Sequence, residues 1–115
     1  LIDVNGVGYH VNISLQTFSA VKDQENIALF THLSIREDAH VLFGFSTEAE
    51  KKLFLHLISV NGVGPSTAIV MLSFMEVEEL KAAIAREDIA TLQRVKGIGG
   101  KTAQRLIVEL KDKLK

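Results

Sequence analysis

Apolar side chains change their period once along the chain, near Ser46. Before that point they recur at every second residue. Leu1, Ile2 and Val4 run into Asn5-Gly6-Val7-Gly8, and Tyr9, Val11 and Ile13 continue the alternation. Ile27, Leu29, Leu33 and Ile35 alternate again, with Thr31 in the missing slot. Arg36-Glu37-Asp38-Ala39 then separates them from a second apolar run, Val41-Leu42-Phe43-Gly44-Phe45. Period-two segments bounded by Asn-Gly and charged turns read as short strands joined by hairpins. Residues 1–45 are therefore expected to form a β meander with a charged hairpin tip, a small barrel or part of one.

After Ser46 the spacing becomes helical. Thr47 and Glu50 form a candidate capping box, followed by Leu53, Phe54, Leu57 and Ile58 on one stripe. The pattern predicts helices over about 47–59, 65–73, 76–86, 88–94 and 100–114. Pro65 suits a first helical turn and Asp88 an N-cap. In the last helix Ala103, Leu106, Ile107, Leu110 and Leu114 share a face, with Lys111 and Lys115 where the dipole favours cations. The fold class is α+β, a β half over 1–45 and an all-α half over 46–115.

The helical half contains a repeat. Val60-Asn61-Gly62-Val63-Gly64-Pro65-Ser66-Thr67-Ala68 aligns with Val95-Lys96-Gly97-Ile98-Gly99-Gly100-Lys101-Thr102-Ala103, an offset of 35 residues. In each copy a helix runs into Gly-apolar-Gly and a new helix opens. Glycine takes positive φ cheaply and has no side chain to block a close ligand. Val63 and Ile98, between the glycines, can anchor each bend in the core. The bend then turns its N–H groups outward beside the unpaired N–H groups of the next helix, and a phosphate is the expected guest. The candidate contacts are Gly62, Val63, Gly64, Ser66 and Thr67 in the first bend. In the second they are Lys96, Gly97, Ile98, Gly99, Gly100, Lys101, Thr102 and Arg105. Two such helix-hairpin-helix elements related by a local twofold could grip both strands of a duplex. No contact touches a base edge, so binding is expected to be independent of sequence.

Charge agrees with a basic working face. The whole chain carries a net −1, but residues 1–45 hold two bases against five acids, and from Arg94 onward seven bases stand against two acids. With no cysteine, disulfides and thiolate metal sites are excluded. No apolar run has the length of a membrane span, and a soluble intracellular protein is the expectation. Gly99-Gly100-Lys101-Thr102 imitates part of a phosphate-binding P-loop, but that pattern needs a glycine where Val95 stands, and the preceding segment reads as helix. His10, His32, His40 and His56 lack ligand-like spacing, and no cofactor or metal is expected. Phe18, Phe30, Phe43, Phe45, Phe54 and Phe74 are read as core in preference to base-stacking platforms. No nucleophile–base pair or carboxylate dyad stands out, so the chain is read as non-catalytic.

With both bends and the β half taken together, the sequence resembles the RuvA family of bacterial Holliday-junction-binding proteins. The resemblance is carried by Asn5-Gly6-Val7-Gly8-Tyr9, Arg36 to Phe45, Glu50-Lys51-Lys52-Leu53-Phe54-Leu55, both glycine bends, and Thr102 to Lys111. It implies an oligonucleotide-binding-type barrel whose first strand would precede Leu1, then the helical domain. A small motor-contacting domain would follow Lys115. It also implies a homotetramer, possibly paired into an octamer on DNA, that holds an open four-way junction for recombination and repair. A hexameric ATPase, RuvB, would drive branch migration. Glu37 and Asp38 would form an acidic pin at the junction centre. The first bend departs from the second in having Pro65-Ser66 and no lysine matching Lys101. Two other readings are a generic helix-hairpin-helix duplex-binding module of a repair enzyme, and a base-excision glycosylase. The glycosylase would need a catalytic acid beyond the second bend, where the chain nearly ends.

Overall fold

The computed structural model describes residues 1–36 and 39–114. Strands β1 (Ile2–Val4) and β2 (Val7–Tyr9) pair antiparallel across a two-residue turn in which both residues have positive φ, Asn5 at 53° and Gly6 at 86°. Those angles match the right-handed twist of the flanking strands, which is what Asn-Gly provides at this position. Only His10 separates β2 from β3 (Val11–Asn12), so one extended segment pairs first with β1 and then with a second sheet. That sheet has the order β3-β5-β4, with β4 (Phe30–Arg36) antiparallel and β3 parallel to β5 (Ala39–Phe45).

The expected meander is therefore corrected. A parallel pair needs a crossover, and here it is made by a helix that alternation did not reveal, α1 (Leu15–Val21). Ser14 caps it by accepting from the Thr17 N–H at 3.1 Å. The strand expected from Ile27 begins only at Phe30.

The helical half follows the predicted pattern closely: α2 (Glu48–Ile58), α3 (Pro65–Phe74), α4 (Val77–Ala85), α5 (Ile89–Gln93) and α6 (Gly100–Leu110). Thr47 caps α2 by accepting from the Glu50 N–H, Pro65 occupies the first turn of α3, and Asp88 caps α5. α6 ends four residues before the expected 114, its C-cap being Lys111.

One apolar cluster runs through both halves. Phe43 and Phe45 of β5 meet Phe54 of α2 at ring-centroid separations of 5.2 and 4.9 Å, and the cluster continues through Leu57, Met71, Leu80, Leu92 and Leu106. The remaining phenylalanines do not fill the core as expected: Phe18, Phe30 and Phe74 lie exposed. Arg94 lies over the Phe74 ring at 5.6 Å, a cation–π contact that explains one of them.

Glu50 supplies the second correction. It does not reach back to the Thr47 amide as a capping-box acid would. It is buried, 3% exposed, and its carboxylate accepts from the Ser14 hydroxyl and, at 3.1 Å to each oxygen, from the Thr17 hydroxyl. A carboxylate taken out of water must be bonded or neutralised, and the N-cap of the unanticipated helix is what bonds it.

Candidate nucleic-acid interface

Each bend is set by one glycine with a left-handed backbone. Gly62 has φ 100° and Gly97 φ 97°, a region costly for any residue with a Cβ. The two bends then match bond for bond. The Val63 N–H donates to the Val60 carbonyl at 3.1 Å, and the Ile98 N–H to the Val95 carbonyl at 3.1 Å. Val63 and Ile98 are both 5% exposed, so the apolar residue between the glycines pins each bend to the core as its sequence position suggests. Gly64 and Gly99 cap the following helices with nearly identical extended backbones, φ −89° in both, and no side chain occupies either cap. The amides opening α3 and α6, from Ser66 and Thr67 and from Gly100, Lys101 and Thr102, thus have no earlier turn to bond to. Among the described residues the N–H groups of Gly62, Gly64, Gly97 and Gly99 also meet no protein acceptor.

The bends face each other. A Cβ added to Gly62 would lie 3.4 Å from the Thr102 hydroxyl on α6, and one added to Gly97 would lie 4.0 Å from the Thr67 hydroxyl on α3. Each bend therefore sits against the start of the other's second helix, the reciprocal arrangement a local twofold requires. Arg105, one turn into α6, reaches back so that its guanidinium donates to the Asn61 carbonyl of the first bend at 3.5 Å. Asn61, absent from the residues singled out by sequence, joins the site through its main chain, which a side-chain motif does not register. Asn61, Lys101, Gln104, Arg105, Val108 and Glu109 line an open cavity of about 440 Å³ beside both bends, with two cations against one carboxylate.

Lys96, Lys101 and Arg105 are all exposed, as are Gly62, Ser66, Gly97 and Gly99, while Gly64, Thr67, Gly100 and Thr102 are half-buried. Apart from the buried Val63 and Ile98, the candidates of both bends reach the surface, where N–H donors at two helix starts are joined by cationic side chains. An anion fits this chemistry. Behind the site, two bonds from Thr91 hold the Asp88 carboxyl below the usual carboxylate range. Its bond to Glu87 holds the Lys111 ammonium above its ordinary value. Glu37 and Asp38 lie outside the described residues.

No group of three or more metal-ligating side chains comes together among the described residues, and no helix of theirs is long and apolar enough to cross a membrane. His32 packs against Phe54 at 5.6 Å, and His56 lines a cavity of about 370 Å³ with Lys52, Lys81 and Lys113.

Comparison with known proteins agrees with the geometry. The model of the SAM-like helix-hairpin-helix tandem matches residues 54–112, and that of the RuvA N-terminal domain matches residues 1–44. Among curated proteins, the Holliday junction branch migration complex subunit RuvA of Cytophaga hutchinsonii is 60% identical over 115 residues, all of this chain and 58% of that protein. The subunits of the same name from Christiangramia forsetii and Laribacter hongkongensis are 54% and 51% identical over 99% of the chain, which spans 59% and 57% of their lengths.

Proposed function

Because the chain belongs to the SAM-like helix-hairpin-helix tandem family and is similar to RuvA subunits along its whole length, we propose that it binds four-way DNA junctions through backbone phosphates, without regard to sequence. The observation that carries this reading is the reciprocal packing of Gly62 on Thr102 and Gly97 on Thr67. It sets two sets of free amides at a fixed separation, so that two phosphates on opposite strands can be held at once. In the second bend Lys96 and Lys101 add cationic contacts. In the first, where Ser66 replaces a lysine, hydroxyls and main-chain amides do the work. Arg105 stands between the two bends.

Four-way specificity needs more than one copy of the site, and the reading assigns it to a homotetramer, with an octamer on DNA as the alternative assembly. Glu37 and Asp38 would stand at its centre, where carboxylates repel phosphates and steer separated strands into new duplexes. Branch migration itself would be driven by a hexameric RuvB ATPase, leaving this chain a docking role without catalysis. The setting would be recombination and DNA repair in the bacterial cytoplasm. A narrower reading, duplex binding alone, is favoured by the placement of both bends within the helical half.

Competition gel shifts at moderate salt separate the two. The proposal expects a four-way junction of arbitrary sequence to displace the protein from a linear duplex of equal length; equal affinity for both would leave only the narrower reading. Replacing Glu37 and Asp38 with Gln and Asn should keep or raise affinity while altering strand handling. A large loss of binding would remove the pin role.

A further inference from the structure

We propose that Glu50 is a positioning residue that locks the strand half onto the hairpin-bearing half, so that junction preference, but not duplex binding, depends on it. The inference rests on the junction-binding reading and adds to it a residue far from either glycine bend.

The lock is a closed set of bonds among three elements. Glu50, in the first turn of α2, accepts from the Ser14 hydroxyl at the cap of α1 and from the Thr17 hydroxyl within α1. Thr17 in turn accepts from the N–H of Ser46, the first residue after β5, at 3.1 Å. Ser14, Thr17 and Glu50 are 1%, 0% and 3% exposed, and no buried side-chain polar atom among the described residues is left without a partner. α1 is held a second time where the Leu15 N–H donates to the Ser73 hydroxyl of α3 at 2.9 Å. The other junction between the halves is apolar, Phe43 and Phe45 against Phe54. Apolar attraction is itself non-directional, so the bonds to Glu50 add an angular restraint to the packing of the three rings. Hydrogen bonds to a buried carboxylate are directional and strong.

Position makes the lock consequential. Ser46 lies at the base of β5, whose far end, Ala39, adjoins Glu37 and Asp38. Seven strand residues span about 23 Å, so a rotation of about 10° at the base would move the far end by about 4 Å. The glycine bends, built within the helical half, would not move with it. Loss of the carboxylate should therefore scatter the far ends of β4 and β5 relative to the phosphate grips while leaving the grips intact.

The chain has no cysteine, so single cysteines at Ile35, near the far end of β4, and at Glu79 on α4, away from both bends, can carry spin labels without background. With Glu50 in place and doubly labelled chains diluted among unlabelled ones, so that only the pair within one chain is read, pulsed dipolar spectroscopy should give one narrow distance distribution. In Glu50→Ala it should broaden, and the ratio of four-way to duplex affinity should fall at least about tenfold, the scale of an ordinary coupling between two sites, with duplex affinity unchanged. Glu50→Gln, whose amide can still accept from Thr17 and bond Ser14, should restore most of both. Thr17→Val, which keeps the shape and removes the hydroxyl between Ser46 and Glu50, should broaden the distribution as well and serves if Glu50→Ala does not fold. Narrow distributions in the variants overturn the proposal, as does broadening with an undiminished junction-to-duplex ratio. If the unaltered chain shows no junction preference, it is the functional reading that fails, and the distance measurement decides the lock by itself.

Discussion

Four glycines of the two bends fall into two kinds, and a methyl group tells them apart. Gly62 and Gly97 have left-handed backbones, so Gly97→Ala should cost about 1–2 kcal/mol from the clash of Cβ with the carbonyl that follows it. Thermal melts would read this as a lower Tm with or without DNA. Gly64 and Gly99 have ordinary φ, and a Cβ built on either meets nothing within 4 Å. Gly99→Ala should therefore change stability by only about 0.5 kcal/mol, the loss of a better cap residue, yet weaken DNA binding because the methyl occupies the approach to the amides. Unchanged affinity for both duplex and junction would mean that no phosphate comes so close. Lys101 tests charge and not shape. Lys101→Glu should lower affinity alike for all sequences and flatten its dependence on salt, because one fewer counterion is released. An unchanged salt slope in a titration series would remove Lys101 from the contact surface.

Among the elements, what sequence revealed depended on whether an element buries its apolar residues. α6 turns Ala103, Leu106, Ile107 and Leu110 inward, and its helical stripe was readable for that reason. Leu106→Ala should cost about 3 kcal/mol, since the cavity it leaves lies in the shared core. Val108→Ala, at a position 81% exposed, should stay within about 0.5 kcal/mol, both variants being read by denaturant unfolding. α1 is the opposite case. Leu15 and Phe18 are more than half exposed, and the residue it buries completely is Thr17, so its apolar pattern carries no sign of its packing. The available signal was Ser14 three residues before Thr17, a capping spacing that is easily discounted in a segment read as strand. Glu50 was misread for a related reason. A glutamate three residues after a capping threonine fits a capping box locally, and only the fold brings Ser14 and Thr17 within its reach. The local geometry of the glycine bends was legible, because positive φ, a buried residue between glycines and an uncapped helix start are all local requirements.

For the whole molecule, the division at Ser46 is a change of period and not a break in the core, since β5 and α2 share one apolar cluster. The balance of charge does shift along the chain, from two bases against five acids over residues 1–45 to seven bases against two acids from Arg94 onward. The proposed junction reading would set phosphates against the basic stretch and the Glu37 and Asp38 carboxylates at the crossing. The pairing of the two bends across the twofold was implicit in their repeat, but the reciprocal contacts with Thr67 and Thr102 are long-range and came only with the fold. The account stands or falls on whether the bends' main-chain amides meet the sugar-phosphate strand. Amide NMR of the labelled protein titrated with short duplexes of two unrelated sequences measures this directly. The N–H signals of Gly62, Gly64, Gly97 and Gly99 should shift in the same way with either duplex, while that of Gly44, buried in β5, stays in place. Silent bends, with shifts confined to the strand half or differing between the two sequences, would contradict it.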